Sequence, residues 1–151
     1  MGKMTAAGTG LAISAATPAT QTPEGYAALT FTEVGGVEQV GAFGATTEVT
    51  TFQPLKGPQE KYKGPTNYGS VQPAIAHDDD DAGQTLLRAA ADDLSNKLYS
   101  IEVTYPDGAK RYFGARVFGY PENVQGAAAM LMANPSIEIS TTIVKVAAPA
   151  G

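Results

Sequence analysis

Residues 97–120 read KLYSIEVTYPDGAKRYFGARVFGY, and this stretch decides the fold class. Apolar and polar side chains alternate on both sides of Tyr105-Pro106-Asp107-Gly108, with the two-residue period of a strand. Proline at the second turn position and glycine at the fourth specify a type I turn with a glycine bulge, hence a three-residue loop. That loop pairs Tyr105 with Ala109, Val103 with Arg111, Ile101 with Phe113 and Tyr99 with Ala115. A two-residue loop would pair Ile101 with Gly114 and scatter the apolar set. A slip of one residue turns every side chain to the other face, so burial selects the first register. Leu98, Ser100, Glu102 and Thr104 fall on the opposite face.

Strand texture continues outward from this hairpin. Residues 136–146, SIEISTTIVKV, predict the last strand, with Ile137 and Ile139 alternating with Glu138, Ser140 and Thr142. The stretch NVQGAAAMLMANP before it is either a short helix or a loop. AGQTLLRAAADDL, residues 82–94, predicts a helix: Leu86, Leu87, Ala90 and Leu94 share a stripe, and Gln84 and Arg88 lie off it. Asp78 to Asp81 stand at its start, where an N-cap and the positive end of the helix dipole favour them. Ser70 to His77 predicts a strand with Val71, Ile75 and His77 on one face.

In the N-terminal half, residues 1–24 divide into a first strand (Thr9 to Ile13) and an extended, proline-bearing arm, SAATPATQTPE. Leu29 to Val34 and Val37 to Phe43, separated by Gly35-Gly36, carry a hairpin signal. Gly41 and Gly44 leave the second of them equally open to being irregular. Ala45 to Gln53, ATTEVTTFQ, is a β-branched strand. Residues 54–69, PLKGPQEKYKGPTNYG, hold Pro54, Pro58 and Pro65, three glycines and three lysines. Breakers at that density exclude a helix or a central strand and leave a long loop or an extended hairpin. Loops beyond about 12–15 residues are uncommon in compact domains and tend to be functional. Residues 148–151 form a frayed tail.

These readings make one domain, 1–151, with seven or eight strands and one helix. No strand–helix alternation appears, so the expected class is mainly β: an antiparallel sandwich or barrel with one flanking α-helix. A chain of 151 residues is long enough for one self-sufficient core. Ten basic against fifteen acidic residues leave a net charge of −5, which argues against a protein held on nucleic acid by phosphate neutralisation. The absence of cysteine excludes disulfides and thiolate metal sites. The N-terminal stretch lacks the continuous apolar centre of a signal peptide. No stretch approaches a membrane span. Gly2 invites a myristoylation reading, but Ala6 stands where Ser or Thr is needed. A soluble chain without export is expected.

Catalytic chemistry finds little footing. His77 is the only imidazole and adjoins an acidic run. Ser70 follows Gly69 without the rest of a nucleophile elbow. Phosphate-loop and dinucleotide patterns are absent. Asp78 to Asp81 would suit Ca²⁺ or Mg²⁺, but the spacing fails an EF-hand, and helix capping accounts for them. The expectation is therefore no enzyme, with no catalytic, cofactor-binding or metal residue. The strand faces are more telling. Thr46, Glu48 and Thr50 form one row, Ser100, Glu102 and Thr104 a second, and Ser136, Glu138, Ser140 and Thr142 a third, none with a basic residue. Such rows are either the solvated face of an antiparallel sheet or the wall of a wet channel.

ALTFTEVGGVEQVGAFG (residues 28–44), the basic loop 54–69, the helix opened by Asp78 to Asp81, the Tyr105-Pro106-Asp107-Gly108 hairpin and the terminal SIEIST strand occur in this order. In order and texture the chain resembles the major tail tube proteins of long, non-contractile-tailed bacteriophages, from about Thr9 to Val146. The resemblance implies a structural virion protein, made in the host cytoplasm and residing in the virion tail. It implies hexameric rings stacked into a tube, with each subunit lending strands to an intersubunit barrel. The implied partners are further copies of the chain, a tape-measure protein, tail tip and terminator proteins, and genomic DNA passing without specific binding; no membrane and no cofactor is involved. Lumen-facing candidates are Glu48, Thr50, Glu102, Glu138 and Thr142. Inter-subunit candidates on the loop are Lys56, Gln59, Glu60, Lys61, Tyr62 and Lys63. The alternatives are the tube subunit of a contractile injection or secretion machine, and a tail terminator.

Overall fold

In the computed structural model, which describes residues 3–149, the hairpin of residues 97–120 has the register selected by burial. Tyr99 faces Ala115, Ile101 faces Phe113 and Val103 faces Arg111. Tyr105 N–H donates to Ala109 O at 2.8 Å, closing the three-residue loop, and Gly108 takes the positive φ of +96° that the bulge demands.

In chain order the elements are β1 (Gly10–Ser14), α1 (Pro23–Ala27), β2 (Thr32–Glu33), β3 (Val37–Gln39), β4 (Thr46–Phe52), β5 (Glu60–Asn67), β6 (Ser70–Val71) and β7 (Ala74–Ala76). Then follow α2 (Ala82–Asp92), β8 (Tyr99–Thr104), β9 (Lys110–Gly119), β10 (Glu122–Asn123), β11 (Met132–Ala133), β12 (Ser136–Ile139) and β13 (Val144–Val146). The strands form three groups, and among the described residues every pairing is antiparallel. A seven-stranded sheet runs β2-β1-β8-β9-β12-β6, with β13 also paired to β9. A four-stranded sheet runs β10-β11-β7-β3, and β4 pairs with β5 alone.

The core lies between one face of the large sheet, the small sheet and α2. Leu11, Ile13, Ile101, Phe113 and Ile137 meet Ile75 from β7 and Leu87 and Ala90 from α2. The mainly β, antiparallel class is as expected, with differences in detail that have local causes. The Gly35-Gly36 turn does not close a hairpin: β2 pairs with β1 and β3 with β7, in different sheets. The turn's hydrogen-bonding groups go instead to α2, since Gly35 N–H donates to Asp81 Oδ2 (3.0 Å) and Gly35 O accepts from Gln84 Nε2 (2.8 Å). The expected strand 70–77 is cut at Gln72-Pro73 into β6 and β7, one in each of the two larger sheets. The terminal strand breaks into β12 and β13, both on β9. At the break Thr141 Oγ1 takes the Gly114 N–H at 2.7 Å. Helix α2 ends at Asp92, because Asp93 turns to extended backbone, and Leu94 is left exposed.

A second helix, α1, occupies the end of the expected arm. Thr22 caps it, its hydroxyl accepting from Gly25 N–H at 3.1 Å, with Pro23 in the first turn. It carries Tyr26 onto the far face of the large sheet, where the ring stacks on Tyr112 with centroids 5.1 Å apart. Ser100 lies fully buried under this segment and donates to Ala16 O at 2.7 Å, so its row is dry at that end.

Burial pushes the Tyr112 phenol up, and the Glu102 carboxylate beside it adds to the effect, taking it from 10.0 to about 12. A phenol raised on folding contributes stability that is complete below its unfolded value and is lost as pH rises through the folded one. Ultraviolet titration is expected to show one tyrosine ionising near pH 12, with stability falling between pH 10 and 12. Tyr112→Phe should remove that phenol from the titration and lessen the loss of stability at high pH, to which Tyr99 and Tyr120, also raised by burial, still contribute; unchanged curves would refute the assignment.

Gln84 is the polar centre of the fold. Its side chain is fully buried and saturated: Nε2 donates to Gly35 O and Ala76 O at 2.8 and 2.9 Å. Its Oε1 accepts from Asp78 N–H and Tyr120 O–H at 2.9 and 3.1 Å. The residue thus ties α2 to both larger sheets. Gln84→Ala strands buried partners and is expected to cost about 2 kcal/mol, measured by urea denaturation. A loss within experimental error would show that water replaces the amide.

Candidate assembly surfaces

Strand β4 falls within the strand expected at Ala45 to Gln53; its partner β5 comes from residues 54–69, expected as a long loop or an extended hairpin, and residues 53–59 make the turn between them. Phe52 faces Glu60, Thr51 faces Lys61, Thr50 faces Tyr62 and Val49 faces Lys63. The register then shifts, so that Gly64 and Pro65 bulge opposite Glu48. Pro65, which has no N–H to donate, sits in this bulge without a ladder partner. At the tip, Gln53 Nε2 donates to Pro54 O and Gly57 O.

Both faces of the ribbon are exposed along its length. Alternation makes them chemically distinct. Thr50, Phe52, Glu60 and Tyr62 share one face, and Tyr62 O–H donates to Glu60 Oε1 at 2.6 Å. This bond holds the Tyr62 phenol above its ordinary value. Val49, Thr51, Lys61 and Lys63 share the other face. Lys56 and Gln59 lie in the exposed turn with Leu55. A two-stranded ribbon with no covered face is marginally stable in water, so its apolar side chains are unusual for a purely solvated element.

The five lumen candidates do not form one row within a single chain. Glu48 and Thr50 stand on the ribbon, hydrogen-bonded to neither larger sheet. Glu102 stands on β8 with its side chain 16% exposed and Lys110 Nζ at 3.4 Å. Glu138 is exposed on β12 directly opposite Arg116 of β9. Thr142 is exposed beyond β12, its hydroxyl 3.4 Å from Tyr68 Oη. The rows therefore do have basic neighbours. Lys110 and Arg116 come from the adjoining strand, and only cross-strand register reveals them.

A further exposed surface has no periodic signal in the sequence. Residues 121–131 are all exposed, Val124 at 77% and Met130 at 70%. The β10–β11 hairpin brings them beside the end of β7. His77 N–H donates to Leu131 O at 2.9 Å. His77 Nε2 lies 2.8 Å from Asp79 Oδ1 and 3.3 Å from Glu122 Oε1. Asp81 is the helix cap, accepting from Gln84 N–H at 2.9 Å, while Asp78, Asp79 and Asp80 stay in solvent. Acidic side chains thus border an apolar patch. Among the described residues no group of three His, Cys, Asp or Glu is arranged to hold a metal ion. Likewise, no helix there is long and apolar enough to cross a membrane.

No family model matches the chain, and no curated protein matches it. Among solved structures, it is similar to a chain of the cryo-EM structure of the anti-feeding prophage baseplate, 6-fold symmetrised. The TM-score is 0.70 over 99% of this chain and 99% of that one, at 8% identity. At that identity the likeness is one of fold.

Proposed function

We propose that this chain is a structural, non-enzymatic subunit of a phage-tail-like particle, stacking as rings around a bore. The observation that carries the reading is the end-to-end fold likeness to a subunit of a six-fold baseplate. The exposed β4–β5 ribbon supports it, because a marginal ribbon gains order when a neighbour covers it. The baseplate likeness favours an injection-machine particle over the tube of a long non-contractile tail. In either particle the partners are further copies of this chain and other tail proteins; in the tube reading these include the tape-measure, tip and terminator proteins and DNA in transit.

In this reading residues 54–69 carry the inter-subunit contacts through Lys56, Gln59, Glu60, Lys61, Tyr62 and Lys63. Glu48, Thr50, Glu102, Glu138 and Thr142 form a bore lining only when several copies combine, since one chain does not align them. The test is electron microscopy and sedimentation of the purified chain over increasing concentration. Six-fold rings or hollow rods are expected, and a strict monomer at high concentration overturns the reading. A contractile-sheath gene beside the coding sequence separates the injection machine from the non-contractile tail.

A further inference from the structure

Resting on that reading, we infer that the basic face of the β4–β5 ribbon docks on the acid-bordered apolar patch of a second copy of this chain. The patch comprises Val124, Met130 and Leu131 with Asp79, Asp80 and Glu122.

The two surfaces complement each other in charge. The ribbon carries three lysines against two glutamates, on a chain whose net charge is −5. Lys61 and Lys63 share their face with Val49, and Lys56 and Leu55 extend the basic, apolar character into the turn. The patch presents its carboxylates around an apolar centre exposed to solvent. Its placement is fixed by the backbone bond from His77 to Leu131 and by the pairing of β11 with β7. Lysine stems lie along apolar surface while their ammonium groups reach acids at the rim, which is the arrangement this pairing offers.

Reach also permits it. The eight residues of β5 extend about 25 Å at ~3.3 Å per residue, enough to cross a subunit border. Within one chain the ribbon and the patch belong to separate sheets and share no hydrogen bond or ion pair among the described residues. A ribbon that seats on the patch must therefore come from another molecule. Because ribbon and patch differ, the contact is head-to-tail and propagates.

The test is a pair of charge reversals, Lys61→Glu with Lys63→Glu on the ribbon, and Asp79→Lys with Asp80→Lys on the patch. Asp81, the helix cap, is left intact. Each variant alone should need at least roughly tenfold more protein to assemble than wild type, from like charges brought together. An equimolar mixture should assemble again as an alternating copolymer, each reversed surface meeting its opposite. Normal assembly by the patch variant, or a mixture that stays dissociated, overturns the inference while leaving the subunit role intact. A wild-type chain that never self-associates removes the subunit role itself. If a variant fails to fold, carbodiimide cross-linking of the wild-type assembly decides. Lys61 or Lys63 joined to Asp79, Asp80 or Glu122 of another copy supports the pairing, and links from these lysines only to carboxylates outside the patch overturn it.

Discussion

A subunit whose residues 48–65 are replaced by Asn-Gly will fold but will not polymerise. Thr47 and Thr66 are paired across the ribbon root, and Cα atoms of such pairs lie about 4.5–5.5 Å apart. A two-residue Asn-Gly turn therefore closes the gap without strain. No buried core residue lies between 46 and 67, so the monomer's stability should change by about 0.5 kcal/mol at most. Rings and rods should disappear from micrographs, and sedimentation should show a single small species. An unfolded product would make the ribbon part of the core, and undiminished polymer would place the assembly contacts elsewhere.

Gly83→Ala will destabilise the subunit by roughly 3 kcal/mol, although alanine is the better helix former by about 1 kcal/mol. A Cβ at position 83 would lie 2.2 Å from Glu33 O and 2.6 Å from Val34 Cα. Both are backbone atoms and cannot swing aside as a flexible side chain would. Helix α2 would have to lift off β2, weakening the Asp81–Gly35 bond and the Gln84 node and loosening Leu87 from the core. Gly126→Ala serves as the control, since nothing lies within 4 Å of its Cβ. Thermal and urea unfolding of the two variants should separate clearly. Equal stabilities would show that the helix adjusts at little expense.

What the sequence revealed was what local chemistry decides. The turn at Pro106 to Gly108 set the β8–β9 register because its geometry depends on four consecutive residues. Asp81 capped α2 for the same reason. Glycines 35 and 36 misled because their hydrogen-bond partners, Asp81 and Gln84 for Gly35 and Ala76 for Gly36, lie far along the chain. The signal for α1 was present as Thr22 before Pro23, but the surrounding small residues read as an arm, and only Tyr26 stacking on Tyr112 accounts for that helix. Strand β5 lacked apolar alternation because neither face is buried, and its Gly64-Pro65 bulge looked like a break. The Val124–Leu131 surface escaped notice since exposed apolar residues in a loop follow no period.

The exposed ribbon has a kinetic consequence. In the proposed assembly, an element that is marginal in the free subunit would have to be immobilised each time a copy joins, so the first few encounters would carry the entropy loss with little of the later reward. Spontaneous growth would then show a lag that short preformed seeds remove. Elongation in the cell would wait on a template, confining it to the one end where a ribbon finds its seat.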